Sequence, residues 1–520
     1  MVIVKDIANE LLSFAAEQQR RFDSATLPSE RKEQGHFGTP AAIAQFMAGM
    51  FSEIPSGTIR ILDPGAGVGT LSAAFCQRIL QQEAPRHVEI ELWETNPRLV
   101  PRLRKTMEHC RSMLAEAGHR LDFTICVADF ILANARATLF SDGARATFHF
   151  AILNPPYHKV RKESPQAQAM EHVVHGQPNV YAFFMAIAAD LLAPEGEMVA
   201  ITPRSYFNGP YFKKFRKWFF DRMTPRQIHV FESRSNAFRE DDVLQENVIL
   251  LAQKGANPQD VVLTTSFGRD LVRVEKCTAA FEKTIDNTNG DHVVRVATSR
   301  IEHQILEVLD SLPERFQSLG FEISTGPVVT FRSTKFLRDD RSKDTAPLLW
   351  MHNVRPFVTR FTSRNGKPNH IVVSEDSMRL LLPVRRYVLL KRFTAKEEKR
   401  RLVAGILRAS DSYSEWIGLE NHLNYIYRKR AELSEAEALG LAAFFNSSLV
   451  DRYFRAISGN TQVNATEIRA MPMPDAKTLA WIGKEAKGEA AQNLQEVERI
   501  VGRCLGLPNL LIEELCKESK

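Results

Sequence analysis

Cysteine is scarce in this chain of 520 residues: six are present (Cys76, Cys110, Cys126, Cys277, Cys504 and Cys516), and no two form a Cys-x-x-Cys pair. No histidine cluster accompanies them. A zinc site and a disulfide framework are therefore not expected, no metal is expected, and a reducing cytoplasm is the expected compartment. Long apolar runs are missing as well. Nothing is apolar for long enough to span a bilayer, and the start Met1-Val2-Ile3-Val4-Lys5-Asp6 is charged too soon for a signal peptide, so no membrane partner is expected. Internal repeats and low-complexity tracts are absent too.

What is present is ordinary for a globular protein: 44% hydrophobic and 25% charged residues. The length allows two or three domains with large cores. A net charge of +6 hides an asymmetry. Residues 331–430 hold 22 Lys+Arg against 10 Asp+Glu, a net +12, which leaves about −6 for the remainder. One basic segment on an otherwise mildly acidic chain suggests a polyanion-binding module. A solvated basic surface explains the same count.

The strongest local signal is Asn154-Pro155-Pro156-Tyr157, directly after the apolar run Phe148-His149-Phe150-Ala151-Ile152-Leu153. Two prolines in a row fix φ and carry no N–H. An Asn carbonyl beside a Pro carbonyl makes a double acceptor for one planar –NH₂ group, and the Tyr offers a ring for stacking. A plain turn accounts for the same residue types.

Apolar spacing predicts a helix over residues 6–21. Another follows Gly35-His36-Phe37-Gly38-Thr39-Pro40, with Thr39 as N-cap, Pro40 at the first helical position, and Ile43, Phe46, Met47 and Met50 on one face. From residue 59 strands and helices alternate. Strands are expected at 59–62, 88–93, 123–127, 148–153, 197–202 and 248–252, helices at 71–80, 98–117 and 180–192, and a turn at Pro194-Glu195-Gly196. This alternation argues for a mostly parallel sheet with helices on both faces. Residues 255–260 and 285–291 read as linkers or exposed loops, and residues 476–520 as helices.

The first strand runs into Asp63-Pro64-Gly65-Ala66-Gly67-Val68-Gly69-Thr70. The glycines let backbone approach a ligand closely. The spacing is neither the Gly-x-Gly-x-x-Gly dinucleotide fingerprint nor a P-loop. Asp63 suits a ligand with a cationic end, such as a sulfonium amino acid. Glu94, at the end of the second strand, suits ribose hydroxyls. At the end of the third, Asp129 can accept from an adenine amine and Phe130 can pack on its ring. Each acid alone fits a solvated loop; three at successive strand ends are harder to explain that way.

With these residues the chain resembles S-adenosylmethionine-dependent amino-methyltransferases, in particular the gamma class of adenine-N6 DNA methyltransferases of bacterial restriction-modification systems. The order Gly38-Thr39-Pro40, Asp63 to Gly69, Asn154 to Tyr157 and then a basic segment is that of the class. Asn179-Val180-Tyr181 and residues 238–249 also look like family blocks. So, less specifically, do 324–329, 459–466 and Pro472-Met473-Pro474.

The resemblance implies a Rossmann-like α/β domain with a mostly parallel seven-stranded sheet, and a C-terminal mixed α+β target-recognition domain. The expected division is 1–255 catalytic domain with N-terminal helix, 256–310 connecting segment, 311–475 recognition domain and 476–520 C-terminal helices. It implies S-adenosylmethionine as cofactor, bound by Thr39, Pro40, Asp63, Gly65, Gly67, Gly69, Glu94, Asp129 and Phe130. It implies Asn154, Pro155, Pro156, Tyr157 and Phe238 as catalytic residues acting on a flipped adenine. The expected partner is double-stranded DNA, read in part by basic residues of 331–430, with a separate cognate endonuclease as companion and a monomer as the acting form.

Three rival readings share these features. An RNA or protein-glutamine methyltransferase uses the same Asn-Pro-Pro-Tyr loop. A bifunctional enzyme with its own nuclease has little room, since about 35 residues precede the Thr-Pro motif, and Glu397-Glu398-Lys399 fits a charged helix surface better than a nuclease motif. A non-catalytic DNA-binding protein would not need the set Asp63, Glu94, Asp129 and Asn154.

Overall fold

The computed structural model describes residues 2–27, 38–135, 147–174, 179–232, 247–268, 271–288, 290–363, 366–394, 398–458 and 462–518. Phe238, Gly35-His36-Phe37, Arg364, Glu397 and residues 459–461 lie outside them. The chain divides into two compact units, residues 1–298 and 299–520.

In the first unit one sheet holds nine strands among the described residues: β1 (Thr58–Pro64), β2 (His87–Trp93), β3 (Arg120–Cys126), β4 (Phe148–Leu153), β5 (Leu192–Pro203), β6 (Met223–Glu232), β7 (Asn247–Lys254), β8 (Val261–Phe267) and β9 (Val274–Ala279). Their order is β3-β2-β1-β4-β5-β7-β6-β8-β9. The run from β3 to β5 is parallel throughout, and β7 is antiparallel to both its neighbours. The chain order reverses between β1 and β4. The carboxyl ends of those two strands flank the crevice where open α/β sheets bind ligands.

Helices cover both faces. Along β1, Ile59 and Ile61 point into one core and Leu62 into the other, the period-2 alternation of a strand. The first core is completed by α1 (Val2–Ser24), α2 (Ala41–Met50), α3 (Thr70–Ile79) and α4 (Val100–Glu116), through Leu11, Met47, Phe75 and Met107. The second takes α5 (Phe130–Asn134), α6 (Pro165–Ala169), α7 (Val180–Leu191) and α8 (Lys213–Phe220), through Phe130, Ala167, Phe183 and Phe215. Each such fully buried aromatic contributes roughly 1.5–3 kcal/mol. Almost every side chain of α7 is buried, so its sequence shows no polar stripe. Among the described residues no helix is long and apolar enough to cross a membrane.

The sheet is larger than the expected seven strands. Residues 256–310 do not simply connect: they supply β8 and β9, built on the β-branched run Val261-Val262-Leu263-Thr264-Thr265. A small hairpin joins Ile285–Asp286 to Val293–Val294 where an open loop is expected. β6 is hidden in the sequence by Pro225, where its register with β7 shifts. The predicted turn at 194–196 lies inside β5 as a bulge: Phe148 pairs with Leu192 but Phe150 with Glu197, and Glu195 takes φ 63°.

The second unit contains a four-stranded sheet (Phe321–Thr325, Leu423–Arg428, Tyr387–Lys391, Ala404–Leu407) and a five-stranded one centred on Thr345–Leu349. The tail helices Ala476–Glu485, Leu494–Cys504 and Asn509–Glu518 belong to this unit. A Cβ on Gly483 would strike the Ala436 carbonyl of helix Glu435–Asn446, so that glycine permits backbone-to-backbone packing.

Candidate active site

The glycine loop leaves β1 and enters α3 with Gly65, Gly67 and Gly69 at φ 77°, 59° and 88°. All three conformations are left-handed, which L side chains adopt only with strain. The N–H groups of Gly65 and Ala66 both donate to the Trp93 carbonyl at 2.9 Å, which ties the loop to the end of β2. Glu94 continues that tie: its Oε2 accepts from the Gly67 N–H at 2.9 Å and its Oε1 from the Asn96 N–H at 2.7 Å. The space above Gly67 is open.

Asp63, at the end of β1, is fully buried. Its Oδ2 accepts from the Ser72 hydroxyl at 2.5 Å, while its Oδ1 has no partner among the described residues. Burial pushes this carboxyl up to about 7; the bond from Ser72 opposes the rise and the charge of Glu94 adds to it. A buried acceptor left unmade costs about 1–3 kcal/mol. A donor or cation delivered by a ligand would relieve it.

Beside the loop is a cavity of about 180 Å³. Gly65, Gly67 and Glu94 form one wall, and Asn154, Pro156 and His158 another. Trp93, Phe130 and Phe184 make an aromatic side: Trp93 meets Phe130 edge-on at 5.5 Å, and Phe130 meets Phe184 at 5.1 Å. Gln19 and Phe22 of α1 and Gly38 line it further. Asp129 holds Phe130 rather than facing the cavity. Its Oδ1 caps α5 by accepting from the Ile131 and Leu132 N–H groups at 2.8 and 3.0 Å, and its Oδ2 accepts from Gln166 at 2.8 Å.

Asn154 sits at the carboxyl end of β4 between two hydroxyls. Its Nδ2 donates to Thr39 Oγ1 at 3.0 Å, and its Oδ1 accepts from the Tyr157 hydroxyl at 2.6 Å. That hydroxyl also lies 3.1 Å from the Ile201 carbonyl of β5. The Tyr157 ring meets Tyr181 edge-on at 6.4 Å, and burial holds its phenol far above its ordinary pKa. Thr39 therefore serves Asn154 and is not an N-cap. Helix α2 begins at Ala41, Pro40 occupies the cap position, and no side chain caps it. The expected Thr39 cap and Pro40 first turn are corrected by one residue, because the Thr39 hydroxyl is turned toward the Asn-Pro-Pro-Tyr loop.

Among the basic residues of 331–430, some are held by partners and some are exposed. Arg386 pairs with Glu435 at 3.1 Å and Arg428 with Glu437 at 2.5 Å. Arg392 donates to the Asn421 carbonyl and Gln462, and Arg385 lies over the rings of Tyr387 and Tyr427. These four are structural. Arg332, Lys335, Arg338, Arg355, Arg360, Lys429 and Arg430 are exposed. Arg355 lies in the hairpin Val354–Arg355 to Val358–Thr359 and Arg360 directly follows it; the hairpin is pinned by Asn353 donating to the Arg360 and Thr362 carbonyls. Of the interleaved aromatics, Phe336, Trp350 and Phe357 are core residues, while Phe331 and Phe361 are exposed.

Sequence reasoning missed Ser72, Trp93 and Phe184. Ser72 is one serine in a helix, and the two rings read as ordinary core. Only the fold brings Ser72 to Asp63 and the two rings to the cavity.

The Eco57I restriction-modification methylase family matches this chain over residues 101–238. The type II methyltransferase M.BsuBI of Bacillus subtilis is 34% identical over 91% of this chain and 93% of its own length. The type II methyltransferase M.PstI of Providencia stuartii is 34% identical over 92% of this chain and 94% of its own. Among solved structures, the type IIL restriction-modification enzyme MmeI in complex with DNA aligns with a TM-score of 0.56 at 11% identity, over 99% of this chain and 77% of that one. At that identity the likeness is one of fold.

Proposed function

The chain belongs to the restriction-modification DNA methyltransferases of its type II relatives, and from that membership we propose that it methylates the N6 amine of adenine at specific sites in double-stranded DNA, with S-adenosylmethionine as donor. The observation that carries this reading is the Asn154 amide, fixed between Thr39 and Tyr157 on the wall of the cavity that the glycine loop and Glu94 also line.

The residues fit that cofactor. Asp63 offers a buried, unpartnered oxygen to its cationic amino-acid end. Glu94 retains lone pairs for ribose hydroxyls beyond the two backbone bonds it accepts. Trp93, Phe130 and Phe184 give an apolar side for a planar ring, and we assign Asp129 the task of fixing Phe130 there. When bound, S-adenosylmethionine supplies a methyl group on a sulfonium, a good electrophile with a neutral leaving group.

The chain's own work is positioning. The target base must leave the stack to reach Asn154. The Asn154 Oδ1 and the Pro155 carbonyl then accept the two amine hydrogens. Those bonds draw the nitrogen lone pair out of the ring and orient it. Tyr157 packs against the base, and Phe238 is assigned by family position to its other side. No general base is required, because the methylated amine sheds its proton readily. We further propose that the protein acts as a monomer beside a separate endonuclease and protects host DNA.

The test is transfer of tritiated methyl to DNA, RNA and protein, followed by sequencing that maps N6-methyladenine. Label in DNA at one recurring sequence supports the proposal. Label confined to RNA or to protein glutamine overturns it.

A further inference from the structure

The loop after β5, residues 204–212, leaves the strand next to β4 and so lies at the same sheet edge as Asn154. It is held in a costly way. Arg216 of α8 is 1% exposed, and its guanidinium donates to three backbone carbonyls: Gly209 at 2.8 Å, Asp291 at 2.8 Å and Tyr206 at 3.3 Å. Burying a cation on neutral acceptors is unfavourable unless the geometry is well satisfied. Burial pulls its pKa down to about 10, against the pull of Asp291.

The clamp fixes Gly209, at φ 82°, and with it the Pro210 turn. Tyr206, Phe207 and Phe212 of this loop are buried, yet Tyr211 at its tip is 70% exposed. Phe212 stacks on Tyr181 at 5.7 Å and 25°, and Tyr181 in turn meets Tyr157. The exposed ring is thus anchored one residue from an aromatic row that ends at the Asn-Pro-Pro-Tyr loop. Two exposed lysines follow it and are engaged locally: Lys213 pairs with Asp291 at 2.5 Å, and Lys214 donates to the Glu171 carbonyl at 2.7 Å.

A lone exposed tyrosine needs no explanation. A tyrosine held out on a loop locked by a buried arginine is different, because the ordering that binding would demand is already present. A flat, exposed ring on the sheet edge that carries Asn154 suits base stacking in a protein that acts on DNA. We propose that Tyr211 is a nucleobase-stacking residue that receives a base of the DNA next to the methylated adenine. This inference rests on the DNA reading above.

The experiment uses the full chain and a duplex carrying the sequence mapped by methylation, with 2-aminopurine placed at each position flanking the target. Tyr211→Ala is expected to weaken DNA binding about 5- to 150-fold, the range that corresponds to one stacked base. It should also abolish the tyrosine-dependent quenching at one flanking position, with cofactor affinity and thermal midpoint unchanged. Tyr211→Phe should restore both. A wild-type chain that methylates DNA while Tyr211→Ala matches it in affinity and quenching overturns the stacking role alone. So does a Tyr211→Phe variant as weak as Tyr211→Ala. A wild-type chain that neither binds nor methylates DNA overturns the functional reading, and this inference with it.

Discussion

Replacing Asp63 with asparagine should change how stability depends on pH. The buried carboxyl is held at about 7 against an ordinary 3.8. Because the folded-state value is raised, the stability carried by the protonated form is present in full below pH 3.8 and is lost as pH rises to about 7. Each pH step inside that window is worth about 1.36 kcal/mol. Between pH 5 and pH 8 the wild-type protein should therefore lose about 3 kcal/mol that Asp63→Asn does not lose. Urea unfolding of both proteins across that range measures the difference directly. Saturating S-adenosylmethionine should flatten the wild-type curve, since a cation near Oδ1 favours the carboxylate. Parallel curves for the two proteins would refute the argument that burial, and not the Ser72 bond, governs Asp63.

Asn154→Ala should abolish methyl transfer while calorimetry finds cofactor binding nearly intact; retained transfer would sink the double-acceptor argument. Thr39→Val should lower kcat about 10- to 100-fold with little change in KM for DNA, and Thr39→Ser should recover most of it, because the hydroxyl helps hold the Asn154 amide in place. Gly69→Ala should cost about 2–5 kcal/mol in denaturant titrations, since φ 88° is strained for alanine and its Cβ would lie 2.8 Å from Leu103. If Arg360 meets a phosphate, Arg360→Ala should make the salt dependence of DNA binding shallower by about 0.9 in log–log slope. Arg428→Ala should instead lower stability and leave that slope alone, because Arg428 is already paired with Glu437.

The legible parts of this chain are those written in consecutive residues. Asn154 to Tyr157 and Asp63 to Gly69 each carry their geometry locally, and β1, β2, β4 and β7 appear within a few residues of their predicted places. The alternation from β1 to β5 was enough to expect a parallel sheet. What the sequence hides are partners far apart in the chain. Thr39 and Asn154 are separated by 115 positions, and nothing near Thr39 distinguishes it from a helix cap. The basic segment reads as one patch because Glu435 and Glu437, which neutralise Arg386 and Arg428, lie outside it. β8 follows Asn257-Pro258-Gln259-Asp260, a turn-rich stretch that reads as the end of a domain, although the strand after it extends the same sheet.

The two hydroxyls beside Asn154 can each give or take a proton. In the arrangement described, the amide donates to Thr39 and accepts from Tyr157. Turned by half a rotation, it would accept from Thr39 and donate to Tyr157, whose own proton already has the Ile201 carbonyl within reach. The flanking groups therefore hold the amide in place without dictating which end is which, and the incoming base selects the orientation. A base presenting a carbonyl in place of the amine could turn Asn154 to suit itself, but it could not turn a backbone. On this reading, discrimination between an amine and a carbonyl falls on the Pro155 carbonyl, which can only accept, and the prolines that hold it act as the filter.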